Sequence, residues 1–91
     1  MQESKDLEFK KEISNTFLKT VSAFSNFGTG KIIFGIDDDG KMVGLTKTED
    51  ARLVIENKIN DSIVPKPDFA VNTDTKNGTI TLTVFEGRYK P

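Results

Sequence analysis

The stretch from Ala23 to Gly40 constrains the fold more than any other part of the chain. It holds the end of an amphipathic run, the glycines Gly28 and Gly30, the apolar block Ile32-Ile33-Phe34-Gly35-Ile36, and the acids Asp37, Asp38 and Asp39 before Gly40. Glycines commonly sit just past a helix C-terminus. A short apolar block bounded by turn residues reads as a buried strand. A helix end, a glycine corner, a strand and an acidic turn therefore follow one another closely, and the remaining elements must pack around them.

Upstream, Leu7 and Phe9 alternate with Asp6, Glu8 and Lys10, which predicts a short half-buried first strand. Glu8 falls on the face opposite Leu7 and Phe9 and is free for a surface role. Ser14 or Asn15 is placed to cap a helix whose stripe is Ile13, Phe17, Val21 and Phe24, widened by Leu18. The block from Ile32 to Ile36 is apolar on both parities. It predicts a central strand covered on both faces, or one covered on one face and in a dimer contact on the other.

Downstream, Asp39-Gly40 signals a type I′ hairpin, with Met42-Val43-Gly44-Leu45 as the returning strand. Thr46 or Thr48 would cap a second helix, with Glu49 and Asp50 near its positive end. Ala51, Ile55, Ile59 and Ile63 recur along it, flanked by Leu53 and Val54, and Pro65 and Pro67 end it. Phe69 and Val71 mark a fourth strand, and Asn77-Gly78 a second hairpin. In the last strand Ile80, Leu82 and Val84 share one face, while Thr79, Thr81 and Thr83 line the other as a solvent face or interface. The expected fold is α/β (α+β): two layers, a mixed β-sheet in the order β-α-β-β-α-β-β, and helices mainly on one face. With 91 residues, one domain is expected, because two would each lack a core.

Thirteen Lys and Arg against fourteen Asp and Glu give a net charge of −1, so attraction to a polyanion requires a local basic patch. The absence of Cys and His excludes disulfides and the usual zinc sites, and removes the commonest general base. Polar residues open the chain, and no apolar run approaches the roughly 20 residues that span a bilayer, so a cytoplasmic protein with no membrane partner is expected. Three familiar loops fail on spacing or context. The phosphate loop would need glycine at Ser25 and a hydroxyl at Ile32, and the dinucleotide fingerprint must open a helix, whereas Gly28-Thr29-Gly30 opens a strand. A calcium loop would need an acid at Gly35.

Two readings of the acidic turn stand side by side. Asp37, Asp38 and Asp39 form either a solvated turn or part of a carboxylate cluster with acids of the first strand, able to hold Mg²⁺ or Mn²⁺ and activate water. Among the basic residues, Lys10, Lys11, Lys31, Arg88 and Lys90 are the candidates for a nucleic-acid patch, since the first strand, the corner and the tail can become neighbours. Asn26, with Gly28, Gly30 and Gly35, forms a structural corner or a nucleotide-binding one.

Taken together, Glu3 to Lys10, Val21-Ser22-Ala23-Phe24-Ser25-Asn26, Ile33 to Gly40 and Val43-Gly44-Leu45 resemble the Schlafen-type AlbA-like DNA-binding domain family, formerly described as a divergent ATPase domain. The resemblance covers most of the chain in order. It implies the nucleic-acid (DNA)-binding module of a bacterial or archaeal transcriptional regulator, non-enzymatic as an isolated domain. It also implies two alternatives: a metal-dependent nuclease whose three acids fall on Glu3, Glu8 and Asp38, and an ATP-binding, helicase-related domain. Family domains continue past a Lys-Pro like Lys90-Pro91, so the resemblance further implies a truncated C-terminal end and a sheet edge left open or paired in a homodimer.

Overall fold

The structure is a computed structural model that describes residues 7–27, 29–63 and 67–85, and of these all side chains except those of 25–27. In chain order the elements are β1 (Leu7–Lys10), α1 (Phe17–Phe27), β2 (Gly30–Phe34), α2 (Thr48–Ser62), β3 (Phe69–Asp74) and β4 (Thr79–Val84). The four strands form one mixed sheet in the order β1-β2-β4-β3. β1 runs parallel to β2 with α1 as the crossover, and β4 pairs antiparallel with both β2 and β3.

Register separates the two faces of this sheet. Ile32, Leu82 and Val71 lie in one row, and Phe34, Ile80 and Thr73 in the next. Ile32, Leu82, Phe34 and Ile80 of these rows belong to the same core cluster as Phe17, Val21 and Phe24 of α1 and Ile55 and Ile59 of α2, with Val71 packed against it, so both helices cover one face. Phe17 meets Phe34 edge-on, with ring centroids 5.5 Å apart at 87°, an arrangement that aromatic quadrupoles favour. Each such side chain, fully buried, contributes roughly 1.5–3 kcal/mol relative to exposure. The other face carries Lys31, Ile33, Thr79, Thr81 and Thr83, as the period of two requires.

Several expectations change. β2 is central, but only one of its faces lies under the helices: on the other, Lys31 is exposed and Ile33 half-buried. The segment Met42 to Leu45 is not a strand and retains a single bridge, Ile36 to Met42. The amides of Val43 and Gly44 both donate to the Gly35 carbonyl, at 2.8 and 2.9 Å, and Gly44 turns at φ 77°, so a ladder cannot continue.

Neither hairpin is type I′, because only Gly40 (φ 84°) and Gly78 (φ 72°) have positive φ, not Asp39 or Asn77. At the first, the Gly40 amide donates to the Asp37 carbonyl and the Asp37 amide to the Lys41 carbonyl, both at 3.0 Å, the pattern of a three-residue loop closed by a left-handed glycine. The second is a wider loop closed by the Gly78 amide on the Asp74 carbonyl at 2.8 Å.

The helix starts also differ. The position before α2 is Lys47, which makes no side-chain cap, while Thr48 is buried in the first turn. At α1 the backbone carbonyls of Ser14 and Asn15 receive the amides of Phe17 and Leu18, and the Asn15 side-chain oxygen accepts instead from the Lys58 ammonium at 2.6 Å. Leu53 and Val54 are exposed rather than flanking the core. Among the described residues no helix is long and apolar enough to cross a membrane.

Candidate nucleic-acid interface

Glu8 pairs in register with Ile32 and therefore points to the helix side of the sheet, at the β1 edge. There the Thr20 hydroxyl of α1 donates to its carboxylate at 2.8 Å, and the Lys10 ammonium lies 3.6 Å away. Glu8 is opposite Leu7 and Phe9, as alternation requires, but α1 covers its side and half-buries it. Asp38 sits exposed as the first residue of the first hairpin loop. Its neighbour Asp37 organises that loop, one carboxylate oxygen accepting the amides of Asp39 and Lys41 at 3.0 and 2.9 Å. Glu3 lies outside the described residues. Among those described, no three carboxylates are grouped closely enough to hold a metal ion.

The glycine corner is filled by protein. A Cβ on Gly30 would stand 2.5 Å from the Phe24 ring, and one on Gly35 would stand 2.7 Å from the Gly78 carbonyl oxygen. Both glycines thus serve close packing. Asn26 lies in the last turn of α1, its side chain outside what the structure describes, and Gly28 is outside the described residues. Gly44 and Gly78 complete this backbone crossing, with a Cβ on Gly78 meeting the Leu45 amide at 3.0 Å. Only the neighbouring turn residues hint at it in the sequence.

Of the basic candidates, Lys31 is exposed on the open face between Leu7 of β1 and Thr83 of β4. Lys10 pairs with Phe34 and so faces the helix side, while Lys11 is exposed just beyond β1. Pleating therefore divides Lys10 from Lys31. Arg88 and Lys90 lie outside the described residues.

The open face has a polarity of its own. Leu7, Lys31, Thr83 and Ala70 form one row, and Phe9, Ile33, Thr81 and Asn72 the next, with Thr79 and Asp74 at the far end. Phe9 is buried in this row. At the Lys31 end, Phe85 continues the ladder, its amide donating to the Asp68 carbonyl at 2.9 Å, and its side chain is 42% exposed. Sequence reasoning passed over Phe85; the signal was the run of alternation from Thr79 through Thr83, which carries on to it. At the opposite end the Asp74 carboxyl is held below its ordinary pKa, first by the Asn77 side-chain amide and then by the backbone amides of Asn77 and Lys76. The face thus runs from a cation at one end to a firmly ionised acid at the other.

Residues 3–91 match the family described as Schlafen, AlbA_2. No curated protein matches the chain.

Proposed function

This chain belongs to the Schlafen AlbA_2 family, and from that premise we propose that it is a nucleic-acid-binding module, the DNA-binding part of a cytoplasmic transcriptional regulator. The observation that carries the reading is Lys31, an exposed ammonium on the open face of a central strand, beside the half-buried hydroxyls of Thr83 and Thr81. Lysine and hydroxyl donors are the groups that hold phosphate oxygens without reading sequence. With a net charge of only −1, the attraction is local to this end of the sheet.

Binding rather than strand cleavage is the better-supported role. Glu8 is engaged by Thr20 and Lys10 on the helix side, whereas Asp38 lies out on a hairpin loop. Gel shifts of DNA and RNA with the chain at low salt test the reading. Binding should weaken steeply as salt rises, because each phosphate contact releases counterions, and Lys31→Glu should weaken it at every salt concentration. No shift with either nucleic acid at low salt would sink the proposal.

A further inference from the structure

We infer that the open face takes single-stranded nucleic acid, with an unpaired base stacked on Phe85 and the adjoining phosphate on Lys31. This rests on the nucleic-acid reading above and narrows it. Among the described residues Phe85 is the only exposed large aromatic side chain. It does not hang from a loose loop: its amide is fixed to the Asp68 carbonyl, one step beyond the register in which Val84 faces Phe69. Alternation puts its ring on the face of Thr81 and Thr83.

Lys31 pairs directly with Thr83, two residues before Phe85 on the neighbouring strand. Two strand residues cover about 7 Å, and adjacent strands lie about 4.8 Å apart, so ring and ammonium are separated by roughly one extended nucleotide. Asp68 stands across the ladder from Phe85. Its charge repels phosphate from that side and leaves the Lys31 side as the favourable path for the backbone.

An aromatic ring can receive a base only when the base is unstacked from its own neighbours. In a duplex the base faces are hidden, whereas single strands splay them out onto such rings. The remainder of the described face offers threonines, Asn72 and the half-buried Leu7, Ala70 and Ile33, and its second aromatic, Phe9, is only 2% exposed and closed to stacking. One base is therefore gripped by stacking at this end, and its neighbours are tracked through the backbone with little discrimination of sequence.

The test is fluorescence anisotropy of the full chain against a labelled oligothymidine and a duplex of equal length at one low salt concentration. Wild type should bind the single strand more tightly. Phe85→Ala should weaken single-strand binding about tenfold, within the range seen for removal of one stacking platform, and change duplex binding little. Phe85→Trp should restore the preference. Because the chain has no tryptophan, it also supplies a single reporter, whose emission should be quenched as a base stacks on it. Lys31→Ala should lower the salt slope by about one phosphate contact for either nucleic acid. Tighter binding to the duplex, or binding unchanged in Phe85→Ala with no quenching in Phe85→Trp, overturns this inference while leaving nucleic-acid binding intact. Failure to bind either probe overturns both.

Discussion

The carbonyl oxygen of Gly78 lies 2.7 Å from the place where a Cβ on Gly35 would stand. The same oxygen accepts the Leu45 amide at 2.7 Å, while the Gly35 carbonyl accepts Val43 and Gly44 and its amide reaches the Lys10 carbonyl. Gly35 thus ties the end of β1 to both loops beyond the sheet. Gly35→Ala should lower stability by about 2–4 kcal/mol, combining a side chain held at positive φ with displacement of backbone that cannot rotate away. A urea midpoint within experimental error of wild type would refute this, and amide exchange should quicken at Val43, Gly44 and Leu45 in the variant.

The Phe24 ring occupies the space over Gly30. Gly30→Ala forces that ring outward within a packed core and should cost about 1–3 kcal/mol, as overpacking does. Shortening the ring supplies the control: the cost of Gly30→Ala should be smaller in a Phe24→Leu background, because neighbouring sites couple. Equal costs in the two backgrounds would show that the ring is not what Gly30 accommodates.

What was legible in the sequence is what depends on period alone. Ile80, Leu82 and Val84 alternate with three threonines, and a period of two maps directly onto the faces of a strand; the stripe through Phe17, Val21 and Phe24 works in the same way for α1. Tertiary backbone geometry left no such trace. Met42 to Leu45 has strand-like composition, yet its amides are drawn to Gly35 and Gly78. Glu8 lies on the expected parity, but which parity lies beneath α1 follows from pairing with β2 and not from β1 itself. The same pairing divides Lys10 from Lys31, while the alternation through Thr83 carries on to Phe85, whose amide the Asp68 carbonyl then holds at the end of the ladder.

The Thr20 hydroxyl donates to the Glu8 carboxylate at 2.8 Å, and that carboxylate remains about one-third exposed. Thr20→Val preserves shape while removing that donor and should cost about 1 kcal/mol, near the low end for an unsatisfied acceptor because water still reaches it. Thr20→Ser should recover most of the loss. Removing the charge by Glu8→Gln keeps an acceptor for Thr20 and gives up only the Lys10 pair, worth about 0.2–1 kcal/mol at a partly exposed site. If Glu8→Gln proves more costly than Thr20→Val in denaturant titrations, the ion pair, not the hydroxyl, is what holds β1 to α1.

Asp74 gathers the second hairpin through one carboxylate: an oxygen accepts the amides of Lys76 and Asn77 at 3.1 and 3.2 Å, and the other accepts the Asn77 side chain at 2.8 Å. These bonds favour the ionised form, the Asn77 side chain most of all, and hold the folded-state pKa below the ordinary value. The sign follows from linkage. A depressed folded pKa contributes stability that is fully present above the unfolded pKa of about 3.9 and is lost as pH falls through the folded value. Urea midpoints measured from pH 7 downward should therefore fall in acid for wild type, with a smaller fall in Asn77→Ala and a smaller one again in Asp74→Asn. The three proteins should converge at the lowest pH, where Asp74 is protonated in both states. Parallel pH profiles for wild type and Asp74→Asn would show that the loop is closed by the Gly78 amide alone, and that the carboxylate adds nothing to it.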